Sequence, residues 1–118
     1  MAPYERFEAF RLCDRLALLV YRETASFPKT ELYGLTAQVR RAAFSAAVNI
    51  VEGSTRRGKA EFRRFLDISL ASLAEVGYVI RFCHALGYLD DSRRHGLDAV
   101  HTSASRATWA LYDSMRRK

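Results

Sequence analysis

The chain has 118 residues, 49% of them hydrophobic, 12% aromatic and 27% charged. That is the length of one ordinary domain and the balance of a folded globular protein rather than a disordered one. No apolar run approaches the roughly 18 residues that a membrane-spanning helix needs. The formal charge is +6, carried by 16 arginines and only three lysines, Lys29, Lys59 and Lys118. Such a balance points either to an acidic partner or a nucleic acid, or to a proteome that prefers arginine over lysine.

Alanine (17) and leucine (13) together outnumber Val, Ile and Thr (16), and only Pro3 and Pro28 could interrupt a helix. The expectation is an all-α protein. Four elements follow in chain order. The first, expected over residues 4–26, places Phe7, Phe10, Cys13, Ala17, Val20, Thr24 and Phe27 three or four residues apart and stops at Pro28. The second, over 31–53, repeats the spacing through Leu32, Leu35, Val39, Ala42, Ala46 and Ile50, then meets the polar turn between Gly53 and Gly58. The third, over 58–87, lines Phe62, Phe65, Leu66, Ser69, Leu73, Val76, Ile80 and Cys83 along one face. The fourth, over 91–116, is less apolar: Leu97, Val100, Ala104, Ala107 and Leu111. Thr30 or Asp91 is suited to cap the helix that follows it. Four helices with short connections predict a single domain, an antiparallel up-down-up-down four-helix bundle. Cys13 and Cys83 lie inside apolar patterns and read as buried free thiols. With no signal-peptide core at the N-terminus, the expected compartment is the cytoplasm.

The second element carries a polar stripe beside its apolar one. Gln38, Arg41, Ser45, Asn49 and Glu52 share a face, within an alanine-rich segment that lets a neighbouring backbone approach closely. If the second and third elements fold back about residues 56–57, Arg41 falls level with Ser72 and Gln38 with Glu75. The expectation is a buried polar network with an Arg41–Glu75 pair, supported by Gln38 and Ser72. It reads either as a register-fixing device or as a ligand site built on Arg41, Asn49 and Glu75.

The run from Gln38 to Ala43, with Ser45 and Asn49-Ile50-Val51-Glu52-Gly53, then Phe62-Arg63-Arg64-Phe65-Leu66, then Ser72 and Glu75, resembles the four-helix bundle proteins related to the 23S rRNA intervening-sequence protein. The resemblance spans about residues 4–115. Ala71-Ser72 stands where those proteins usually have Gly-Ser. The resemblance implies a left-handed bundle, assembly as a homopentameric ring and no known enzyme activity; no cofactor is expected from the sequence. A similar protein of diversity-generating retroelements binds a reverse transcriptase and nucleic acid through a basic barrel surface. A protein-interaction scaffold or accessory subunit of such an enzyme is therefore the alternative to direct nucleic-acid binding.

Patterns that carry catalysis are missing from the sequence. There is no Glu-x-x-His pair of the di-metal bundles, and His84, His95 and His101 lack ligand spacing. No G-x-S-x-G elbow, catalytic Cys–His signature or Walker loop occurs. No metal is expected. The charge, by contrast, is concentrated. Arg40, Arg41, Arg56, Arg57, Lys59, Arg63 and Arg64 stand against Glu52 and Glu61 between residues 38 and 66, a net +5 of the total +6. Arg40, Arg56, Arg57, Lys59, Arg63 and Arg64 are the candidate contacts for RNA or DNA phosphates. The tail Arg116-Arg117-Lys118 is a second, smaller patch. Tyr21, Tyr78, Trp109 and Tyr112 lie off or at the edge of the apolar stripes, as aromatics at a subunit interface do.

Overall fold

A computed structural model describes residues 2–116 of the chain. Arg117 and Lys118, and with them most of the basic tail, lie outside the described residues. Four helices form: α1 (Glu8–Thr24), α2 (Leu35–Ser54), α3 (Lys59–Ala85) and α4 (Asp91–Arg116). Two single turns of 3-10 helix, Pro3–Arg6 and Lys29–Glu31, precede α1 and α2. There is no strand among the described residues. α1 and α2 thus start four residues later than the apolar spacing predicts. Pro3 nucleates a turn of its own, and Phe7, in an extended conformation (φ −80°, ψ 126°), separates it from α1. After Pro28 the chain makes one tight turn before Gly34 opens α2.

The helix ends have local causes. The caps are not Thr30 and Asp91. The Glu31 carboxylate accepts from the Leu35 N–H at 3.2 Å, and Asp90 accepts from the Arg93 N–H at 2.7 Å. Each satisfies one of the orphan donors of a first turn. α3 ends in a Schellman motif. The Tyr88 N–H bonds the Cys83 carbonyl (2.9 Å) and the Gly87 N–H bonds that of His84 (3.0 Å). This requires a left-handed residue, and Gly87 supplies it at φ +85°. Gly58, at φ +82°, does the same where the chain turns into α3.

The four helices pack in a cycle, α1 against α2 and α4, and α3 against α2 and α4, with the α2–α3 interface the most extensive. The result is a four-helix bundle about 46 Å long and 24 by 23 Å across. Its core is built from Cys13, Leu16, Val20, Ile50, Leu66, Leu73, Val76 and Ile80 around the alanines 42, 43, 46 and 47 of α2. The small side chains of α2 explain its close fit to α3, where the buried Ser69 hydroxyl donates to the Ala46 carbonyl at 2.9 Å. Gly53 extends that fit to the end of α2. A Cβ there would lie 2.8 Å from the Phe65 Cβ and 2.9 Å from the Phe62 ring.

Both cysteines are buried free thiols. Burial pushes each thiol up to about 11; for Cys13 a hydrogen bond with Thr108 opposes it. No helix among the described residues is long and apolar enough to cross a membrane.

Candidate nucleic-acid interface

The segment joining α2 to α3 is short and polar, and it gathers Arg56, Arg57 and Lys59 with Arg63 and Arg64 of the first turns of α3. The one carboxylate among them is Glu61. Arg64 pairs with it at 2.7 Å, an i,i+3 contact on an exposed surface. That hydrogen bond holds the Glu61 carboxyl below its usual range and raises the Arg64 guanidinium. Exposed pairs of this kind add little stability.

The remaining cations have other fates. Arg56 lies over the Phe65 ring with its guanidinium carbon 4.8 Å from the centroid, and Arg64 over the same ring at 4.9 Å. Phe65 is only 7% exposed, although it stands apart from the apolar core cluster. Gly53 of α2 packs against its Cβ, and the two guanidiniums lie over its ring. Arg64 gives its Nε and one terminal nitrogen to Glu61, so its remaining N–H groups, with those of Arg56, are the ones left for phosphate oxygens. Arg63 reaches across to α4 and donates to the Met115 carbonyl at 3.0 Å, satisfying one orphan carbonyl of that helix end. Arg57 and Lys59 are exposed.

Arg40 does not belong to this cluster. It stands 16 residues before Arg56, roughly 24 Å along a helix. Its Nε donates to the Thr24 hydroxyl at 2.9 Å, a second N–H donates to the Tyr21 carbonyl at 3.3 Å, and its guanidinium covers the Tyr21 ring at 4.7 Å. Arg40 therefore braces the end of α1. Its helical spacing in the sequence placed it near the other arginines only in number.

The polar stripe of α2 forms, but not as a buried network. Gln38, Arg41, Glu52 and Glu75 are exposed, and Ser45, Asn49 and Ser72 are half-buried. Gln38 donates to Glu75 at 3.3 Å, Ser72 to the Ser45 hydroxyl at 2.8 Å, and the Asn49 amide to the Ser45 carbonyl and hydroxyl at 2.9 and 3.0 Å. Across α2 and α3 the paired residue numbers sum to between 113 and 117, close to the register read from the turn. The expected Arg41–Glu75 pair is absent, because Gln38 occupies Glu75 and Arg41 projects outward. The stripe is exposed because a single chain has no fifth element to cover the outer side of the α2–α3 pair. Around it lie Phe44 (58% exposed), Ile68, Tyr78 (60%) and Phe82.

The cavities do not favour a small-molecule site at Arg41, Asn49 and Glu75. One of about 10 Å³ is a core gap lined by Val20, Val39, Ile80 and Leu97. A shallow one of about 330 Å³ opens between Tyr21, Tyr33, Arg40 and Arg41, and includes neither Asn49 nor Glu75. His84 and His101 serve the fold. His84 bonds Asp91 at 2.6 Å and Arg94 at 3.2 Å, and His101 bonds the Leu73 carbonyl at 2.7 Å. No group of three or more His, Cys, Asp or Glu that could hold a metal ion occurs among the described residues.

The sequence missed the stacking of Arg56 and Arg64 on Phe65, although the i,i+1 step from Arg64 to Phe65 was visible. It also missed a stack on α4, where Trp109 and Tyr112 lie nearly parallel (16°) with centroids 5.3 Å apart.

The model of the 23S rRNA-intervening sequence protein family matches residues 5–108. The chain belongs to that family. No curated protein matches it. Among solved structures it is similar to a protein of unknown function from the S23 ribosomal protein family of Bacteroides thetaiotaomicron, with a TM-score of 0.78 at 16% identity, over 88% of this chain and 97% of that one. At that identity the likeness speaks for the fold. In this member of the family, the signature Asn49…Glu52-Gly53 has a physical reading: Gly53 admits the Phe62 and Phe65 side chains, and Asn49 ties back to Ser45 on the outer face.

Proposed function

We propose that this chain is a non-enzymatic, self-associating helical bundle that binds RNA or DNA through the arginines around the α2–α3 turn. The observation that carries the reading is the cluster Arg56, Arg57, Lys59, Arg63 and Arg64, with Glu61 as its single carboxylate. Two of its guanidiniums are held over the Phe65 ring. Phosphate oxygens suit such groups. Contacts of this kind predict phosphate-dominated affinity with weak sequence preference and a steep dependence on salt.

Self-association is supported by the α2–α3 face. Phe44, Ile68, Tyr78 and Phe82 expose apolar area beside a polar stripe whose hydrogen bonds are half satisfied within the chain. Such a patch fits an interface better than free water. The connections of four and five residues before α3 and α4 fit an up-down-up-down arrangement, left-handed as bundles of this packing are. A ring of five copies, the assembly expected from the family resemblance, would repeat the basic turn once per subunit and add avidity without new contacts.

The test is a titration of fluorescently labelled RNA or DNA at rising salt, beginning at about 50 mM. Binding that weakens log-linearly with salt, and that weakens further when Arg57 and Lys59 are changed to Glu, supports the reading. Absence of binding at low salt, or affinity indifferent to salt, overturns it. Mass measurement in solution decides the assembly: a pentamer is expected, and a monomer at micromolar concentration contradicts the ring.

A further inference from the structure

Most aromatic pairs in the molecule meet edge-on or tilted: Tyr4–Phe10 at 67°, Phe7–Phe62 at 70° and Phe27–Tyr88 at 51°. Trp109 and Tyr112 on α4 are different. They stack at 16°, one helical turn apart, and the indole remains 53% exposed. Arg116, one turn further on, places its guanidinium carbon 5.9 Å from both ring centroids. Asp113 pairs with that guanidinium through two of its nitrogens, which fixes its orientation and offsets its charge. A stack whose outer face is open is a flat, wet, aromatic surface of the kind on which another ring lies.

The surroundings say what that ring belongs to. Along α4 the exposed Arg106 lies one turn before Trp109 and the half-buried Asp113 one turn after, with the exposed Thr102 and Arg116 two turns away on either side. The ring partner of Trp109 is Tyr112. The exposed apolar side chains Phe44, Ile68, Tyr78 and Phe82 belong to α2 and α3, whereas Trp109 belongs to α4. A hydrophobic partner seated here would remove Arg106 and Arg116 from water without compensation. A nucleotide brings a ring for the indole and phosphates for the arginines. The platform also adjoins the basic turn: Arg63 of that cluster bonds the Met115 carbonyl, the residue next to Arg116. Trp109 lies six residues before Met115, roughly 9 Å along the helix.

We propose that Trp109, backed by Tyr112 and Arg116, is a stacking platform for an unpaired base of a single-stranded nucleic acid whose phosphates continue onto the arginines of the α2–α3 turn. The inference rests on the nucleic-acid reading above and makes it narrower. Duplexes keep their bases stacked on one another and offer only their backbone, whereas single strands present free ring faces to aromatic side chains. The protein then prefers single strands, with little dependence on which base is stacked, since every base has a flat face.

Trp109 is the sole tryptophan, so indole fluorescence reports on this surface alone. The experiment titrates the full chain with a labelled oligouridine and, separately, with a labelled duplex of equal length. It follows the anisotropy of the label together with indole quenching. Quenching should saturate along with oligouridine anisotropy, while the duplex binds with little quenching. Trp109→Ala should weaken oligouridine binding by about 5- to 100-fold and leave duplex binding unchanged. Trp109→Tyr, which restores a ring, should recover most of the loss. Saturating anisotropy without quenching, or a Trp109→Ala variant that binds as tightly as the parent, overturns the platform and leaves the basic turn standing. Indole fluorescence that shifts with protein concentration and ignores the strand also overturns it, in favour of contact between copies. Failure of both strands to bind at low salt removes the platform together with the reading it rests on. The quenching measurement needs no variant, so a substitution that unfolds the chain does not rescue the proposal.

Discussion

The two ends of the bundle use the same residue types for opposite purposes. At one end, where α1 finishes, α3 stops and α4 starts, Arg40, Arg93 and Arg94 each meet a partner. Arg93 pairs with Glu23 at 3.4 Å and donates to the Glu23 carbonyl and to Ser26 at 3.0 Å. Arg94 holds Asp98 and His84, Arg40 holds Thr24, and the Tyr88 hydroxyl donates to Glu31 at 3.0 Å, which pushes its ionisation up. At the other end, around the α2–α3 turn, Arg56 and Arg64 lie on a ring and Arg63 on a carbonyl, and Glu61, paired with Arg64, is the one acid in the cluster. Arginine at the first end clamps helices together. At the second it is held in place with hydrogen-bonding capacity left over. What distinguishes the arginines here is the set of partners that packing brings to each, not their count.

The comparison can be broken by exchanging the properties of the two ends. The largest expected effect is on binding. Arg57→Glu combined with Lys59→Glu should weaken nucleic-acid binding on the order of 100-fold at about 50 mM salt, and should make the salt dependence shallower by about two contacts' worth. Thermal unfolding should barely change, since exposed surface substitutions shift stability by about 0.5 kcal/mol or less. Next in size is Gly53→Ala. The added methyl meets Phe65 and Phe62 at distances under 3 Å, so denaturant unfolding should show a loss of about 1–3 kcal/mol. Arg93→Ala should do the reverse of the turn variants, costing about 1–2 kcal/mol of stability by stripping Glu23 and Ser26 of their donor, with unchanged affinity for nucleic acid. Arg56→Ala should do a little of both. Uncovering Phe65 costs about 0.5–1 kcal/mol in unfolding experiments, and one phosphate contact is lost in binding experiments.

The smallest effect concerns pH. Cys13 and Cys83 have their thiols pushed from 9.0 up to about 11 in the fold. The folded chain then holds these protons more tightly than the unfolded chain. Stability is therefore unaffected below about pH 9, and falls as pH rises from there toward 11. Thiol reagents at pH 8 should label neither cysteine until denaturant is added, measured by mass.

Much of the architecture was legible in the sequence because it rests on local chemistry. Pro28, Gly58 and Gly87 punctuate the chain where backbone geometry requires them, and the three- and four-residue spacing of Leu16, Ile50, Leu66 and Leu73 with their neighbours marks the faces that become core. The register of α2 on α3 followed from a short turn, and Gln38 does meet Glu75. The candidate site was less legible. Helical spacing says that Gln38, Arg41, Ser45, Asn49 and Glu52 share a face, but not whether anything covers that face, and within one chain nothing does. Proximity in sequence joined Arg40 to Arg56 and Arg57, yet a helix carries it to the other end of the bundle. The fate of each arginine depends on which carboxylate, ring or carbonyl tertiary packing brings to it, and no local pattern encodes that. The caps illustrate the same limit on a small scale. Glu31 and Asp90 cap α2 and α4 from one residue beyond Thr30 and one before Asp91, because the turns preceding those helices set which side chain reaches the open N–H groups.

The account depends most on the claim that the turn-end arginines, and not the chain's overall positive charge, form the nucleic-acid surface. The direct measurement is anisotropy of a labelled RNA strand titrated with the parent chain, with Arg57→Glu/Lys59→Glu, and with Arg22→Glu/Arg81→Glu, which makes the same change in net charge outside the cluster. The account predicts salt-dependent binding for the parent and the third chain, with similar slopes, and a large loss for the turn variant alone. Equal losses in both variants, or no binding by the parent at low salt, would contradict it.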